Sequence, residues 1–421
     1  MTTIPQAKKT ILDNGLKVLT ETIPTMRSAA VGIMVGAGSA DELPEEAGLT
    51  HFIEHMAFKG TPKRSAFQIA EALDEVGGRF NAYTSKEQTM YYAVVLDKYL
   101  HVAVDVLSDI FLNPLLKPSD IDMEKGVILE EINMYEDTPD ELIHDLFAET
   151  ILHGHPLGRP TIGTKESVKS FQRESFLKYR GRLYAPDNVI VSAAGNLEHE
   201  KVIELVKPIF SGFPGNKQKA RMPEPKISGE IRVKNKKTEQ VHLCLGVKGL
   251  AQVDEDRYAF SLMETILGGS MSSRLFQEIR EKRGLAYAVH SANSPFKECG
   301  IFYVYAGTEI KNLNQVIELI LKEFTKMKKE GLTPKEMERA KEHLKGSLVL
   351  GLESTASRMS YIARSEFYYD RIITIDEIFE KVDKVSHEDI VRLANQYFKN
   401  EFLTLTIIGD LKESPVTKLS C

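Results

Sequence analysis

The sequence predicts an α+β fold written twice, as two duplicated domains, each a mostly antiparallel sheet with helices packed chiefly on one face. Three observations carry this expectation. Apolar, strand-like runs alternate with amphipathic helical ones along the chain. Residues 211–230 (SGFPGNKQKARMPEPKISGE) are rich in Gly, Pro and Lys and hold no sustained period, as a linker does. Patterns on either side of that break also match at nearly one offset. VGIMVGAG at 31–38 resembles VHLCLGVKG at 241–249, 210 residues on, and NVIVSAAGNL at 188–197 resembles FLTLTIIGDL at 402–411, 214 residues on. The expected segmentation is an N-terminal domain at 1–213, a linker at 214–230 and a homologous C-terminal domain at 231–421. A chain of 421 residues exceeds what one ordinary core organises, which agrees with two domains.

Local signals place the elements. Asp13-Asn14-Gly15 inside ILDNGLKVLTE reads as the turn of a hairpin. Pro44-Glu45-Glu46 reads as a helix start, and Ser119 or Asp120 as the cap of a helix through 119–135. Thr138-Pro139-Asp140-Glu141 has the form of a capping box. Leu267-Gly268-Gly269-Ser270 reads as a helix stop built on glycines tolerant of the left-handed conformation. Segment 316–330 (VIELILKEFTKMKKE) is apolar on one face and basic on the other, ordinary cover for a sheet.

Composition narrows the class. With 42% hydrophobic and 27% charged residues the chain is globular, and its net charge of −6 argues against nucleic acid as the main partner. Cys244, Cys299 and Cys421 are odd in number, far apart and outside any CxxC, so they read as reduced thiols. The N-terminal stretch MTTIPQAKKTILDNGLKV lacks the features of a secretory or organelle leader, and no run of about 18 apolar residues suggests a membrane span. A cytoplasmic protein is the expectation.

The chemistry concentrates at 51–55, His-Phe-Ile-Glu-His. On a helix, His51 and His55 lie one above the other, so that two imidazoles can meet one tetrahedral zinc ion. Glu54 falls where its carboxylate reaches a metal-bound water without being a ligand, in the inverted order H-x-x-E-H. Two unrelated histidines on a helix are the bland alternative; an otherwise apolar setting makes them costly to bury without a partner. A third ligand is needed. Within SDIDMEKGVILEEINMY at 119–135, Glu124 and Glu131 share a helix face while Glu130 points elsewhere, and spacing alone does not choose between the first two.

Taken together, these motifs resemble the pitrilysin or insulinase group of inverted zinc peptidases, in the half-length branch that includes mitochondrial processing peptidase. The resemblance spans nearly the whole chain. It implies that Glu131, 76 residues beyond His55 and within VILEE, is the third ligand, and that Glu124 supports the site from behind. It implies that GGRFNAYT at 77–84 is a strand pairing with substrate backbone through Asn81, Ala82 and Tyr83. Arg280 and Tyr287 in REKRGLAY match residues that hold substrate and stabilise the oxyanion. Glu141 and Asp145 stand where processing peptidases bind an arginine of the substrate, although a solvated, capped helix start would look the same. Phe260, Met263 and Glu264 occupy the places of His51, Glu54 and His55 in the second half, which implies one zinc per chain. Expected partners are peptide substrates and a second subunit, either a homodimer or a heterodimer with a metal-free homologue. The rival reading is a non-catalytic structural subunit of the same lineage, against which every element of the motif stands intact.

Overall fold

Strands with apolar residues at every second position must bury one face, and those apolar on both faces must be covered twice. The computed structural model describes residues 7–218 and 222–421. Residues 1–6 of the N-terminal stretch, and 219–221 of the expected linker, lie outside the described residues. In chain order, the first half forms β1 (Ala7–Ile11), β2 (Lys17–Thr22), β3 (Ser28–Val35), α1 (Leu49–Ala57), α2 (Ala66–Asp74), β4 (Arg79–Thr84) and β5 (Thr89–Leu96). It continues through α3 (Leu100–Leu112), α4 (Pro118–Asp137), α5 (Pro139–Ile151), α6 (Lys165–Ser170), α7 (Arg173–Leu183), β6 (Val189–Gly195) and α8 (His199–Phe210). The second half forms β7 (Ile231–Asn235), β8 (Val241–Gly249), α9 (Arg257–Leu267), β9 (Ala286–Pro295), β10 (Gly300–Thr308) and α10 (Leu313–Glu330). It ends with α11 (Pro334–Gly351), α12 (Thr355–Tyr369), α13 (Ile375–Lys384), α14 (His387–Tyr397) and β11 (Thr404–Gly409).

The first sheet has the order β1-β2-β6-β3-β5-β4, antiparallel except for the parallel β2/β6 pair. The turn read at Asp13-Asn14-Gly15 joins β1 to β2, with Gly15 at φ +90°. One face of this sheet, through Val18, Val31, Ile33, Tyr91 and Val191, enters the main core beneath the first-half helices. The opposite face, through Leu19, Ala30, Met34, Met90 and Ala194, packs on Met359, Ile362 and Ala363 of α12. Gly32 makes room there for the Met359 and Met90 side chains, whose sulfurs lie 2.5 and 2.9 Å from where a Cβ would stand. Buried ions fix the same helix, Arg358 gripping Glu21 at 2.8 and 2.5 Å and Glu366 accepting from Lys9 and Lys17 at 2.5 and 2.8 Å.

The second sheet, β7-β11-β8-β10-β9, repeats the order and senses of β2-β6-β3-β5-β4, including its one parallel pair, β7/β11. The paired sequence patterns therefore fall on equivalent strands, β3 with β8 and β6 with β11. One face holds the core formed with α9, α10 and α14. The other is covered by α5, where Phe147 and His144 approach Tyr303 at 5.1 and 5.3 Å between ring centroids.

The compact units do not follow the two halves of the sequence. The first comprises residues up to Asn133, Arg159–Met222 and Leu350–Ile373; the second comprises Met134–Gly158, Pro223–Val349 and Thr374–Cys421. Each sheet thus receives a back-face helix, α12 or α5, from the other half of the chain, an exchange that no local pattern announces.

Several local expectations are corrected. Pro44–Glu46 is a separate 3₁₀ turn, and α1 starts only at Leu49. Helix α4 begins at Pro118, one residue before the expected caps. No capping box forms at 138–141, because the Thr138 hydroxyl donates back to the Met134 carbonyl at 2.7 Å. Gly268 has φ −154° and ψ 7°, outside the left-handed region; it is small because a Cβ would sit 2.4 Å from the Ser291 nitrogen.

Beneath α5, burial and then the neighbouring His290 lower the pKa of His144 from 6.5 to about 4, against a weaker pull from Asp140. A histidine lowered on folding stabilises the fold above pH 6.5, and that contribution fades as pH falls towards 4. Partial solvent access limits it to roughly 1–2 kcal/mol. Urea unfolding across this window should show the wild type losing that much more stability than His144→Leu; parallel curves would show that His144 contributes nothing.

Candidate metal centre

Helix α1 owes its position to its first turn. Gly48 adopts φ +89°, and a Cβ there would lie 2.4 Å from the Ile162 carbonyl oxygen. Gly163, at φ +82°, meets the Ala47 carbonyl oxygen equally closely, so two glycines let the strands of chain cross backbone to backbone. The buried carboxyl of Glu42 then accepts from the Gly48 and Thr50 amides at 2.9 and 2.8 Å, satisfying donors that a helix start leaves open. Burial pushes Glu42 up to about 8 despite these bonds.

From that start the periodicity acts. Leu49, Phe52, Ile53 and Met56 point into the core, and His51, Glu54 and His55 stay partly exposed on the opposite side. Helix α4 is held by Ile121, Ile128 and Ile132 in the same core, which turns Glu124 inward, places Glu131 beside the histidines and leaves Glu130 exposed.

The three expected ligands converge. Glu131 Oε1 lies 3.8 Å from His51 Nε2, and Glu131 Oε2 lies 3.7 Å from His55 Nε2. One ligand atom from each residue falls within 4.8 Å of the other two, the one such His, Cys, Asp or Glu group among the described residues. These separations are too long for hydrogen bonds and slightly exceed the ~3.4 Å edge of a tetrahedron with ~2.1 Å metal–ligand legs. Two imidazoles and one carboxylate make a donor set that fits a zinc ion with a position left for water.

Protonation favours the same reading. Burial, then the charge of His55, lowers His51 to about 4, which leaves its ring neutral near pH 7. Burial would raise Glu124, yet bonds from His55 and Lys59 outweigh it and hold this carboxyl below its ordinary range. An ionised Glu124 only accepts, so His55 donates from Nδ1 across 2.9 Å, and this turns its Nε2 towards Glu131. Lys59, 2.5 Å from the second Glu124 oxygen, completes the support. Burial raises Glu131, and beside it Glu54, whose Oε2 accepts from the Thr84 hydroxyl at 2.5 Å.

Thr84 ends β4, the edge strand of the first sheet. Asn81, Ala82 and Tyr83 sit on this strand, paired with Tyr92, Tyr91 and Met90 of β5 on one side only. The Ala82 amide donates to the side-chain oxygen of its neighbour Asn81 at 2.8 Å. Arg280 and Tyr287 lie in the second unit. The Arg280 guanidinium sits 4.7 Å from the Tyr287 ring and 4.9 Å from that of Phe276. Tyr287 is 76% exposed and falls at the register shift between Ala286 and Ala288 on β9, a bulge that redirects a side chain. Glu141 and Asp145 share α5 in the same unit, Glu141 exposed and Asp145 partly buried, where it adds to the burial and the Cys244 neighbour that raise the Tyr303 hydroxyl.

Sequence reasoning missed Thr84, Lys59 and Glu42. Thr84 stood inside the quoted strand, on the alternate face from Tyr83, and Lys59 lies one helical turn beyond His55; nothing local marks Glu42. The crossing at Gly48 is testable. Gly48→Ala combines a disfavoured φ with a backbone clash, and thermal unfolding should register a loss of roughly 1–3 kcal/mol; an unchanged midpoint would mean that the crossing relaxes freely.

Residues 17–165 match the family model described as insulinase (peptidase family M16), and residues 170–344 match the peptidase M16 inactive domain. An uncharacterised zinc protease of Streptomyces coelicolor is 41% identical over 99% of this chain and 92% of its own length. One from Bacillus subtilis is 42% identical over 94% of this chain and 96% of its own length. Among solved structures, a protease from Helicobacter pylori superposes with a TM-score of 0.88 at 24% identity, covering 96% of this chain and 99% of that one. A structure from Pseudomonas fluorescens described as a peptidase M16 inactive domain gives 0.89 at 20% identity, covering 98% and 100%. With both family models matched and relatives near 40% identity over almost its full length, the chain belongs to peptidase family M16.

Proposed function

We propose that the chain is a zinc-dependent endopeptidase that hydrolyses short or unfolded polypeptides, with His51, His55 and Glu131 as metal ligands. The observation that carries this is the convergence of those three donors beside a fourth acidic group, Glu54, that is not among them. A zinc ion bound there supplies a water of lowered pKa and polarises the scissile carbonyl. Glu54, with Oε2 held by Thr84, keeps Oε1 to take the proton of the attacking water and return it to the leaving amine. An extended peptide adds to the open edge of β4, where Asn81, Ala82 and Tyr83 supply main-chain partners. Arg280 and Tyr287 hold the substrate and steady the oxyanion, and Glu141 and Asp145 select a basic residue near the cleaved bond. Assembly as a homodimer, or with a metal-free homologue, belongs to the same proposal, as does action in the cytoplasm. No helix among the described residues is long and apolar enough to cross a membrane.

The test is digestion of a peptide library by the purified chain, alongside its zinc content. Glu54→Gln should retain close to one zinc per chain and lose cleavage by a factor of about 10² or more. Glu131→Gln should lose both metal and activity, because an amide is a weaker ligand than a carboxylate. Cleavage by Glu54→Gln at the wild-type rate would remove the base from the mechanism, and full zinc in Glu131→Gln would remove the third ligand.

A further inference from the structure

The bond between Thr84 and Glu54 connects two features that have so far been treated separately, an edge strand and a base. Thr84 is the last residue of β4 and pairs with Thr89 of β5. Its hydroxyl lies 2.5 Å from Glu54 Oε2 and 3.5 Å from the Thr89 hydroxyl. Thr89 is fully buried, and its own proton is committed to the Ala37 carbonyl at 2.9 Å. Thr89 therefore faces Thr84 only as an acceptor, at 3.5 Å, and the Thr84 proton goes to the nearer and stronger acceptor, the Glu54 carboxylate at 2.5 Å. A β-branched side chain on a strand has little χ1 freedom with which to turn that hydroxyl away. Glu54, by contrast, has three rotatable bonds, and the Thr84 hydroxyl is the hydrogen-bond donor that fixes its carboxylate. Its position is therefore taken from the end of β4.

β4 is also the strand whose outer edge is open. A peptide added to that edge gives β4 a second ladder and stiffens it along its length, Thr84 included. We infer that Thr84 is a positioning residue that couples occupancy of the β4 edge to the orientation of the Glu54 carboxylate, so that the base is set when an extended substrate is in register. The inference rests on the endopeptidase reading above. It predicts selection by length: a peptide that pairs along β4 turns over faster than one truncated to the residues around the scissile bond, in kcat and not only in KM.

The experiment compares wild type, Thr84→Val and Thr84→Ser on a long peptide and its truncated form, with zinc content and thermal midpoint measured on each. Thr84→Val keeps the shape and the branching and removes the donor. It should lower kcat on the long peptide roughly 10- to 100-fold, the range found when a group orienting an active-site side chain is removed. KM, zinc content and melting should hold, and kcat should lose its dependence on peptide length; Thr84→Ser should restore most of it. Wild-type kinetics in Thr84→Val would overturn the inference, and so would a loss confined to KM or accompanied by loss of zinc. A readout that does not depend on turnover is a crystal structure with a reduced-bond peptide analogue on β4. One Glu54 rotamer in wild type and several in Thr84→Val supports the coupling; one shared rotamer in both contradicts it. Failure of the endopeptidase reading would instead appear as wild-type inactivity or an active Glu54→Gln, outcomes that leave the rotamer comparison standing.

Discussion

The hydrogen bond from His55 Nδ1 to the buried Glu124 carboxylate is the link on which the site depends. It joins two helices that are far apart in sequence, and it settles which nitrogen of His55 carries the proton. Without that acceptor, His55 would lose the bond that orients its ring with Nε2 towards Glu131. Lys59 guards against this by holding the other Glu124 oxygen. The arrangement then rests on ordinary packing. Apolar stripes on α1 and α4 enter one core, and the polar residues left over on each helix face one another.

Much of this was legible in the sequence, for definite reasons. A helix makes residues four apart neighbours, so two imidazoles and the intervening carboxylate could be read off five letters. The two-residue period and turn chemistry gave the strands, and a repeated pattern gave the doubled sheet. What could not be read were relations that depend on three-dimensional closure. Spacing left Glu124 and Glu131 equivalent; only the packing of Ile121, Ile128 and Ile132 separates the inward one from the one beside the histidines. Glu42 caps a helix from seven residues before its first residue, a role that no capping pattern describes. The exchange of α5 and α12 was hidden because a helix's sequence records that it has an apolar face, but not which sheet that face will cover.

The two sheets also show what divergence after duplication looks like. The helix equivalent to α1 in the second half, α9, keeps the fold's demands and drops the chemistry. Phe260 and Met263 are fully buried where His51 and Glu54 are partly exposed. Glu264, in the place of His55, is a partly buried carboxyl that desolvation pushes up to about 7 despite a bond from Ser291. One half of the chain therefore holds the donor set, and the other retains a scaffold that presents Arg280 and a bulged, exposed Tyr287.

Everything proposed for the chemistry follows from one cation shared by two imidazoles and a carboxylate. X-ray absorption at the zinc edge, on the purified chain loaded with one equivalent of zinc, reads that first coordination sphere directly. The account predicts four light scatterers at about 2.0–2.1 Å, with the multiple-scattering pattern of two imidazole rings and no sulfur at about 2.3 Å. A sulfur shell, or a sphere with fewer than two imidazoles, would place the metal elsewhere and contradict it.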